Sequence, residues 1–262
     1  MKIITSKAFK NGNVHAIRLD DGMMIETTDT FLPYYTKHCI NDHSNELKDD
    51  DFGDRSERWM IGVSTMSGCP CRCKFCATGS MPKWRNLTAD EIVGQVLMMT
   101  RMNSQKIYET QEFKINYTRM GEPFLNLDNV KEAIRKLDKI WSSARIHHYI
   151  STIGIKDSDF SWIKDNITLQ VSLHSCIDGR RDELIPFPRT MTVKELGEIR
   201  TESDLKTTLN MTLVEENDFD IDVLKKYFNN DSFFVKLSPI NKNKISEQNN
   251  LGDGIIKAIN IQ

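Results

Sequence analysis

The sequence predicts an α/β fold: an open barrel of six strand–helix units, preceded by a short β-hairpin. Six short apolar segments alternate with stretches of helical periodicity. Two of those stretches begin with a capping box, at Thr88–Glu91 and at Thr192–Glu195. Strands and helices that alternate in this way form parallel strands joined by right-handed crossovers. A doubly wound sheet also satisfies the pattern, so a further observation is needed to favour the barrel.

The predicted elements follow one another in a regular order. The six strands cover residues 59–65, 113–117, 149–152, 168–173, 207–213 and 233–237. The helices are a capped one with Ile92, Val93, Val96 and Leu97 on its apolar face, one carrying Val130, Ile134 and Leu137, a short one over 160–163, one over 193–199 and one over 221–228.

Residues suited to chemistry fall at or just after the carboxyl ends of the predicted strands. They are Cys69 to Cys76, Gly121 to Pro123, Ser151 and Gly154, Ser172 and His174, and Asn241. Active sites of barrels lie at the carboxyl ends of the strands. This convergence favours the barrel over the doubly wound sheet.

Residues 1–58 differ from the rest of the chain in hydrophobic pattern and composition. Two partly alternating runs around Asp20-Asp21-Gly22 predict a hairpin over residues 12–28. Residues 41–58 are acidic and nearly free of apolar side chains, which indicates a surface loop or linker. We therefore divide the chain into an N-terminal hairpin and acidic linker (1–58), the barrel (59–241) and a short C-terminal tail (242–262), whose residues 241–250 have the composition of a loop.

Composition narrows the class of protein. The 262 residues contain no apolar run long enough to span a membrane, and the first ten residues lack the apolar centre of a signal peptide. We expect a cytoplasmic protein without a membrane partner. The net charge of −2 does not indicate a nucleic-acid binder. Contact with RNA would have to be local, through Lys83 and Arg85 or through Arg180, Arg181 and Arg189, although such residues more often form a solvated surface.

Four of the six cysteines stand in the segment GCPCRCKFCATG, residues 68–79. Cys69, Cys73 and Cys76 form a C-x3-C-x2-C pattern, with Cys71 interposed. Three thiolates on one loop suit a four-iron–four-sulfur (4Fe-4S) cluster whose fourth iron is left for a small molecule. The alternative is a structural zinc site, which usually has two C-x2-C pairs. No second pair follows here, and we interpret Cys39, Cys71 and Cys176 as incidental.

The chain resembles the RlmN/Cfr family of radical S-adenosylmethionine (SAM) enzymes, which methylate adenine carbons of 23S rRNA and, for some members, of tRNA. The segments that carry the resemblance span residues 12–241 and include GCPCRCKFCATG (68–79), RNLTADEIVGQV (85–96), MGEPFLNLDNV (120–130), ISTIG (150–154), VSLH (171–174), RDELIPF (181–187) and SPIN (238–241).

The resemblance implies a partial (β/α)6 radical SAM barrel with a set of functional residues. Cys69, Cys73 and Cys76 would ligate the 4Fe-4S cluster. Gly121, Glu122, Ser151, Ser172, His174 and Asn241 would bind SAM. Glu26 would be the catalytic proton acceptor. The implied partners are SAM, an rRNA or tRNA substrate, and an electron donor such as flavodoxin or ferredoxin.

The chain departs from the family pattern at two mechanistic thiols. Family members carry a cysteine seven residues before the first cluster ligand, where this chain has Gly62, and a methyl-carrying cysteine near the C-terminus, whereas residues 242–262 contain none. The helical RNA-engaging domain that precedes the barrel in the family is also not recognisable in residues 1–58. RNA methylation or modification is therefore the leading hypothesis. The alternatives are a non-methylating radical SAM enzyme and a non-catalytic metal-binding relative.

Overall fold

The computed structural model describes residues 1–32, 53–103, 107–142, 146–214 and 218–252. Within these ranges the strands are β1 (Lys2–Phe9), β2 (Gly12–Arg18), β3 (Met24–Leu32), β4 (Arg58–Gly62), β5 (Met66–Ser67), β6 (Arg85–Asn86), β7 (Glu112–Tyr117), β8 (Ile146–Thr152), β9 (Ile167–Ser172), β10 (Thr207–Thr212) and β11 (Phe233–Ser238). The α-helices are α1 (Ala89–Met102), α2 (Leu127–Ile140), α3 (Asp178–Leu184), α4 (Val193–Gly197), α5 (Ile221–Tyr227) and α6 (Lys244–Gln248).

The chain forms two compact units that alternate along the sequence. The first comprises residues 1–65, 87–119 and 128–148. The second comprises residues 66–86, residues 120–127 and the described residues from 149 onward. The boundary between the units falls within β8.

The first unit is built on a sheet in which β1, β2, β3, β4 and β7 are neighbours in that order. Its first four strands are antiparallel, and β4 and β7 are parallel. The hairpin predicted over residues 12–28 falls on β2 and β3, where Ala16 pairs with Glu26. Strand β1, which the sequence analysis missed, adds an outer edge to this hairpin.

Buried and partly exposed side chains alternate along the strands of the first unit, and the buried ones show which face of the sheet belongs to the core. On β7, Phe113, Ile115 and Tyr117 are buried, and the residues between them are partly exposed. This is the pattern of a strand with one buried face. Helix α1 supplies buried side chains at helical spacing, namely Ile92, Val93, Val96 and Met99. Its N-terminus carries the predicted capping box of Thr88 and Glu91, which is confirmed.

The second unit contains the parallel strands β9, β10 and β11. Asn210 at the centre of β10 pairs with Ser172 on one side and with Lys236 on the other. Leu209 and Met211 are fully buried, whereas Asn210 is partly exposed. β10 therefore has one buried apolar face and one partly exposed polar face.

The predicted strands are confirmed within a few residues, because each contains a short run of β-formers. The helix predicted over 160–163 is wrong. Asp159 accepts hydrogen bonds from the amide and hydroxyl of Ser161, which makes a turn there instead of a helix. Residues 153–166 are all described and contain no helix, so the third strand–helix unit lacks its helix.

Two helices form where the sequence did not predict them. The segment 241–250 is not only a loop, because it contains α6, whose capping box is made by Asn243 and Ser246. Helix α3 was also missed. None of the helices in the described ranges is long and apolar enough to cross a membrane. The predicted acidic loop at 41–58 lies mostly outside the described residues.

Asp29 is the central polar group of the first unit. Its side chain is fully buried and accepts two hydrogen bonds from the guanidinium of Arg55, at 2.6 and 3.2 Å. It also accepts the indole N–H of Trp59 at 2.6 Å and a side-chain N–H of Asn103. The Asp29 carboxylate on β3 therefore holds together the segment before β4, the strand β4 and the C-terminal end of α1.

Replacement of Asp29 by alanine is expected to lower the free energy of unfolding by about 3–5 kcal/mol, because it leaves the Arg55 charge without its partner. Urea denaturation of the purified protein measures the change. Asp20→Ala is the matched control, because the Asp20 side chain is 94% exposed, and we expect a change within about 0.5 kcal/mol. Equal shifts for the two variants would contradict the role assigned to Asp29.

Candidate functional site

The cysteine loop, residues 68–84, projects from a small antiparallel pair in the second unit. Met66 pairs with Asn86 and Ser67 with Arg85, so β5 and β6 hold the two ends of the loop together. Inside the loop, residues 77–80 form a 3-10 turn. The amide of Lys74 donates to the carbonyl of Leu184 at 2.9 Å, which attaches the middle of the loop to the end of α3.

The loop brings thiols of the predicted cluster motif close together. The side chains of Cys69 and Cys71 are hydrogen-bonded to each other, and this bond lowers the pKa of Cys69 and raises that of Cys71. Burial, reinforced by the neighbouring Cys76 and Cys69, raises the pKa of Cys73. Cys71, interpreted from the sequence as incidental, is thus a buried partner of a predicted ligand.

Glu122 lies beside these thiols. Its carboxylate is buried and accepts the amide of Phe124 at 3.1 Å and the amide of Ile153 at 2.9 Å. Desolvation raises the pKa of Glu122 to about 7, although both amides and the Thr152 side chain oppose this shift. Its charge in turn contributes to the raised pKa of Cys73. A carboxylate held in this way is suited to an ammonium ligand.

Gly121 turns the chain so that Glu122 lies in this position. Its φ is +102°, which is a left-handed conformation that favours glycine. A Cβ on Gly121 would lie 2.5 Å from the Cγ of Met66 and 2.7 Å from its amide nitrogen. The structural requirement for glycine is therefore the close approach of Met66 at the base of the cysteine loop.

Arg181 is the residue of this site that the sequence analysis misjudged. Its side chain is 1% exposed, so the prediction of an RNA contact or a solvated surface is wrong at this position. The guanidinium donates to the carbonyls of Met191, Ile153 and Ser172. Burial lowers the pKa of Arg181 to about 10, although the charges of Asp182 and Asp178 and, to a smaller extent, Cys73 raise it.

His174 and Ser172 lie close to Arg181. The imidazole Nδ1 of His174 accepts the amide of Thr212 at 3.1 Å, so the neutral ring carries its proton on Nε2. Burial, with the charge of Arg181, lowers the pKa of His174 to about 3. Phe75 of the cysteine loop packs edge-to-face on the imidazole, with 4.6 Å between ring centroids.

Three further residues were predicted from the sequence as site residues, namely Ser151, Asn241 and Glu26. The hydroxyl of Ser151 donates to the side chain of Gln170 at 3.0 Å, on the polar face of β8. Asn241 is exposed, and its carbonyl accepts from Asn243. Glu26 lies in the first unit, where its carboxylate pairs with the guanidinium of Arg119.

Two asparagines after β11 hold the cysteine loop, and the sequence analysis missed both. The Asn243 side chain donates to the carbonyl of Phe75 at 3.0 Å, and that of Asn249 donates to the carbonyl of Lys74 at 2.9 Å. The signal for Asn243 was its suitability as a helix N-cap. No local pattern indicated contact with residues about 170 positions earlier in the chain.

The requirements of a single ion and of a cluster differ in how their ligands are arranged. Among the residues that the structure describes, no three His, Cys, Asp or Glu side chains are grouped to hold one metal ion. Zinc requires its ligands to converge on one point. An iron–sulfur cluster does not, because its thiolates bind different iron atoms. Cys69, Cys73 and Cys76 are all partly exposed on one loop, and a 4Fe-4S cluster remains the group predicted for them.

Comparison with known proteins defines the class of this one. Residues 63–228 match the model of the Radical SAM superfamily, and the chain belongs to that superfamily. A crystal structure of a radical SAM methyltransferase from Sphaerobacter thermophilus matches 99% of this chain and 72% of its own, with a TM-score of 0.71. The two are 23% identical, so this likeness concerns the fold.

Within the superfamily, the chain is similar to proteins named probable dual-specificity RNA methyltransferase RlmN. It is 36% identical to the one from Pseudothermotoga lettingae over 190 residues, which cover 68% of this chain and 54% of the relative. It is 32% identical to the one from Chlorobium phaeobacteroides over 231 residues, which cover 84% and 64%. The expected resemblance is confirmed, and the chain spans roughly half to two thirds of these relatives' length.

Burial of Glu122 predicts a pH-dependent stability. Its folded-state pKa of about 7 is above the ordinary 4.5, so the neutral carboxyl favours folding below pH 4.5 and this contribution is lost as pH rises through 7. The shift corresponds to about 3 kcal/mol. Urea unfolding of the wild type and of Glu122→Gln across pH 4.5–8 measures it, and the difference between them should change with that sign. A difference independent of pH would contradict the burial of an ionisable group there.

The two functions of Asn243 can be separated by substitution. Asn243→Asp keeps the oxygen that caps α6 but removes the N–H donor to Phe75. We expect it to retain stability within about 0.5 kcal/mol but to bind iron more weakly during anaerobic reconstitution, because the loop loses a restraint. Asn243→Ala should also lose about 1 kcal/mol of stability. Iron content equal to the wild type in both variants would show that this restraint is unimportant.

Proposed function

We propose that this chain is a radical SAM enzyme that reductively cleaves SAM and methylates or otherwise modifies adenine in RNA. The observation that supports the proposal is the cysteine loop, in which Cys69 and Cys73 interact electrostatically with the buried carboxylate of Glu122. Similarity to RNA methyltransferases of the RlmN type supports the choice of RNA as the substrate. We further propose that the strands form the partial barrel expected from the sequence.

The thiolates of Cys69, Cys73 and Cys76 would hold three irons of a 4Fe-4S cluster. When bound, this cluster supplies the electron that cleaves SAM and so produces a radical able to abstract hydrogen. An electron donor such as flavodoxin or ferredoxin fits this need, in the reducing cytoplasm. Cys71 remains hydrogen-bonded to Cys69 and takes no direct part as a ligand in this proposal.

Glu122 would bind the ammonium group of SAM. Two backbone amides, from Phe124 and Ile153, fix the orientation of its carboxylate before any ligand arrives. An ammonium beside the carboxylate would lower the pKa of Glu122 below the value of about 7 that burial gives it. Binding of SAM therefore makes the ionised carboxylate the stable form.

Other contacts with SAM are proposed at Gly121, Ser151, Ser172, His174 and Asn241. His174 is neutral near pH 7, since its pKa is about 3, and would act as a hydrogen-bond donor through Nε2. Glu26 is proposed as the group that receives a proton from the substrate. The guanidinium of Arg119 stands beside it and stabilises its negative charge.

Substitution of single cysteines tests the cluster ligands. Cys73→Ala should abolish the brown colour after anaerobic reconstitution and the release of 5′-deoxyadenosine from SAM. Cys71→Ala is the control on the same loop, and it should retain about four irons per chain and SAM cleavage. Loss of iron from the Cys71 variant, with iron retained by the Cys73 variant, would show that the ligands are wrongly assigned.

The fate of the methyl group tests the substrate. RNA incubated with the reconstituted protein, a reductant and SAM labelled in its methyl group is digested to nucleosides and analysed by mass spectrometry. A labelled methyladenosine is the expected product. Cleavage of SAM without any change in the RNA would support the non-methylating alternative. A colourless protein that leaves SAM intact would overturn the enzymatic proposal.

A further inference from the structure

A cavity of about 400 Å³ opens on the sheet of the first unit, and none of the predicted cluster ligands lines it. The side chains around it are those of Thr5, Lys7, Phe9, Val14, Ala16, Glu26 and Arg119. Strand register brings them to one face, because Lys7 pairs with Val14 and Ala16 pairs with both Thr5 and Glu26. Its volume is in the range of small-ligand sites.

The side chain of Arg119 lies over Gly62, the last residue of β4, which has no side chain of its own. A Cβ on Gly62 would lie 2.3 Å from the hydroxyl of Thr28 and 2.9 Å from the Cδ of Arg119. The hydroxyl of Thr28 instead accepts the amide of Gly62 at 3.2 Å. There is no room for a cysteine at position 62 with Thr28 and Arg119 as they lie. This part of the wall therefore presents a guanidinium where family members would present a thiol.

The lining combines positive charge with an exposed aromatic ring. The ammonium of Lys7 lies 5.1 Å from the ring centroid of Phe9. Phe9 stands on β1, at the edge of the sheet, and is 50% exposed. Lys7 and Arg119 supply two positive charges against the single negative charge of Glu26. Because Glu26 pairs with Arg119, the guanidinium is already held in place before a ligand arrives.

We propose that Lys7, Phe9 and Arg119 bind one nucleotide of a single-stranded RNA segment. The base stacks on the Phe9 ring, and a backbone phosphate accepts hydrogen bonds from Arg119 and Lys7. Aromatic rings and cations arranged side by side are how proteins hold unpaired nucleotides. This inference rests on the proposed function, and it assigns part of the RNA contact to the N-terminal strands.

Fluorescence anisotropy with a labelled single-stranded RNA 12-mer tests the site on the protein without added SAM. Phe9→Ala should raise the dissociation constant about tenfold, since a stacked base is lost. Lys7→Ala and Arg119→Met should each reduce the slope of log affinity against log salt by about 0.7, which is the contribution of one phosphate contact on a single strand. Methionine keeps the apolar part of the Arg119 side chain over Gly62.

Matched controls stand outside the cavity in the same unit. Lys2→Ala removes an exposed cation from the same strand, and Tyr108→Ala removes an aromatic ring that is 60% exposed. Both should leave the dissociation constant within twofold. The proposal is overturned if the wild type fails to bind the 12-mer, if the three cavity variants bind like the wild type, or if the controls weaken binding equally.

Cleavage of SAM by the reconstituted wild type, measured without RNA, tests the proposed function separately. A protein that cleaves SAM but binds RNA independently of Phe9 and Arg119 retains the proposed chemistry and loses this nucleotide site. A protein that binds RNA through these residues but leaves SAM intact retains the site and loses the chemistry.

Discussion

The buried guanidinium of Arg181 is the constraint on which the second unit depends. A charge without exposure to water is costly unless its donors are paired. Here the two terminal nitrogens donate to the backbone carbonyls of Ile153, Ser172 and Met191, which lie at the ends of two strands and before α4. The buried Nε has no hydrogen-bond partner among the described residues. These three segments meet because one cation needs their oxygens. Ser151, Ser172 and His174, which are proposed to bind SAM, stand on or next to two of these segments.

The peptide groups around Ile153 connect the two buried charges of the site. The amide of Ile153 donates to Glu122, and its carbonyl accepts from Arg181. A carboxylate and a guanidinium are thus held at opposite ends of one residue without touching each other. Glu122 therefore remains available to an external ammonium, which a direct ion pair with Arg181 would have prevented. The separation explains how an acid and a base of the same buried site avoid neutralising each other.

The sequence predicted what depends on local pattern and missed what depends on distant contacts. Strands and capping boxes were recoverable because burial alternates along a strand and a cap involves four residues. The helix at 160–163 was predicted because apolar side chains there resemble a helical face, but Asp159 makes a turn. Arg181 was misjudged because an arginine in a charged segment is usually exposed. Its carbonyl partners are 9 to 28 residues away, so no spacing rule identifies them.

The hydrogen bonds of Asn243 and Asn249 to the cysteine loop can form only long after the loop itself has been synthesised. They reach carbonyls of the cysteine loop that were synthesised 168 and 175 residues earlier. During translation the thiols of the loop emerge from the ribosome long before either amide exists to restrain them. A cluster inserted before these residues are made would therefore have to form on a loop that lacks this clamp.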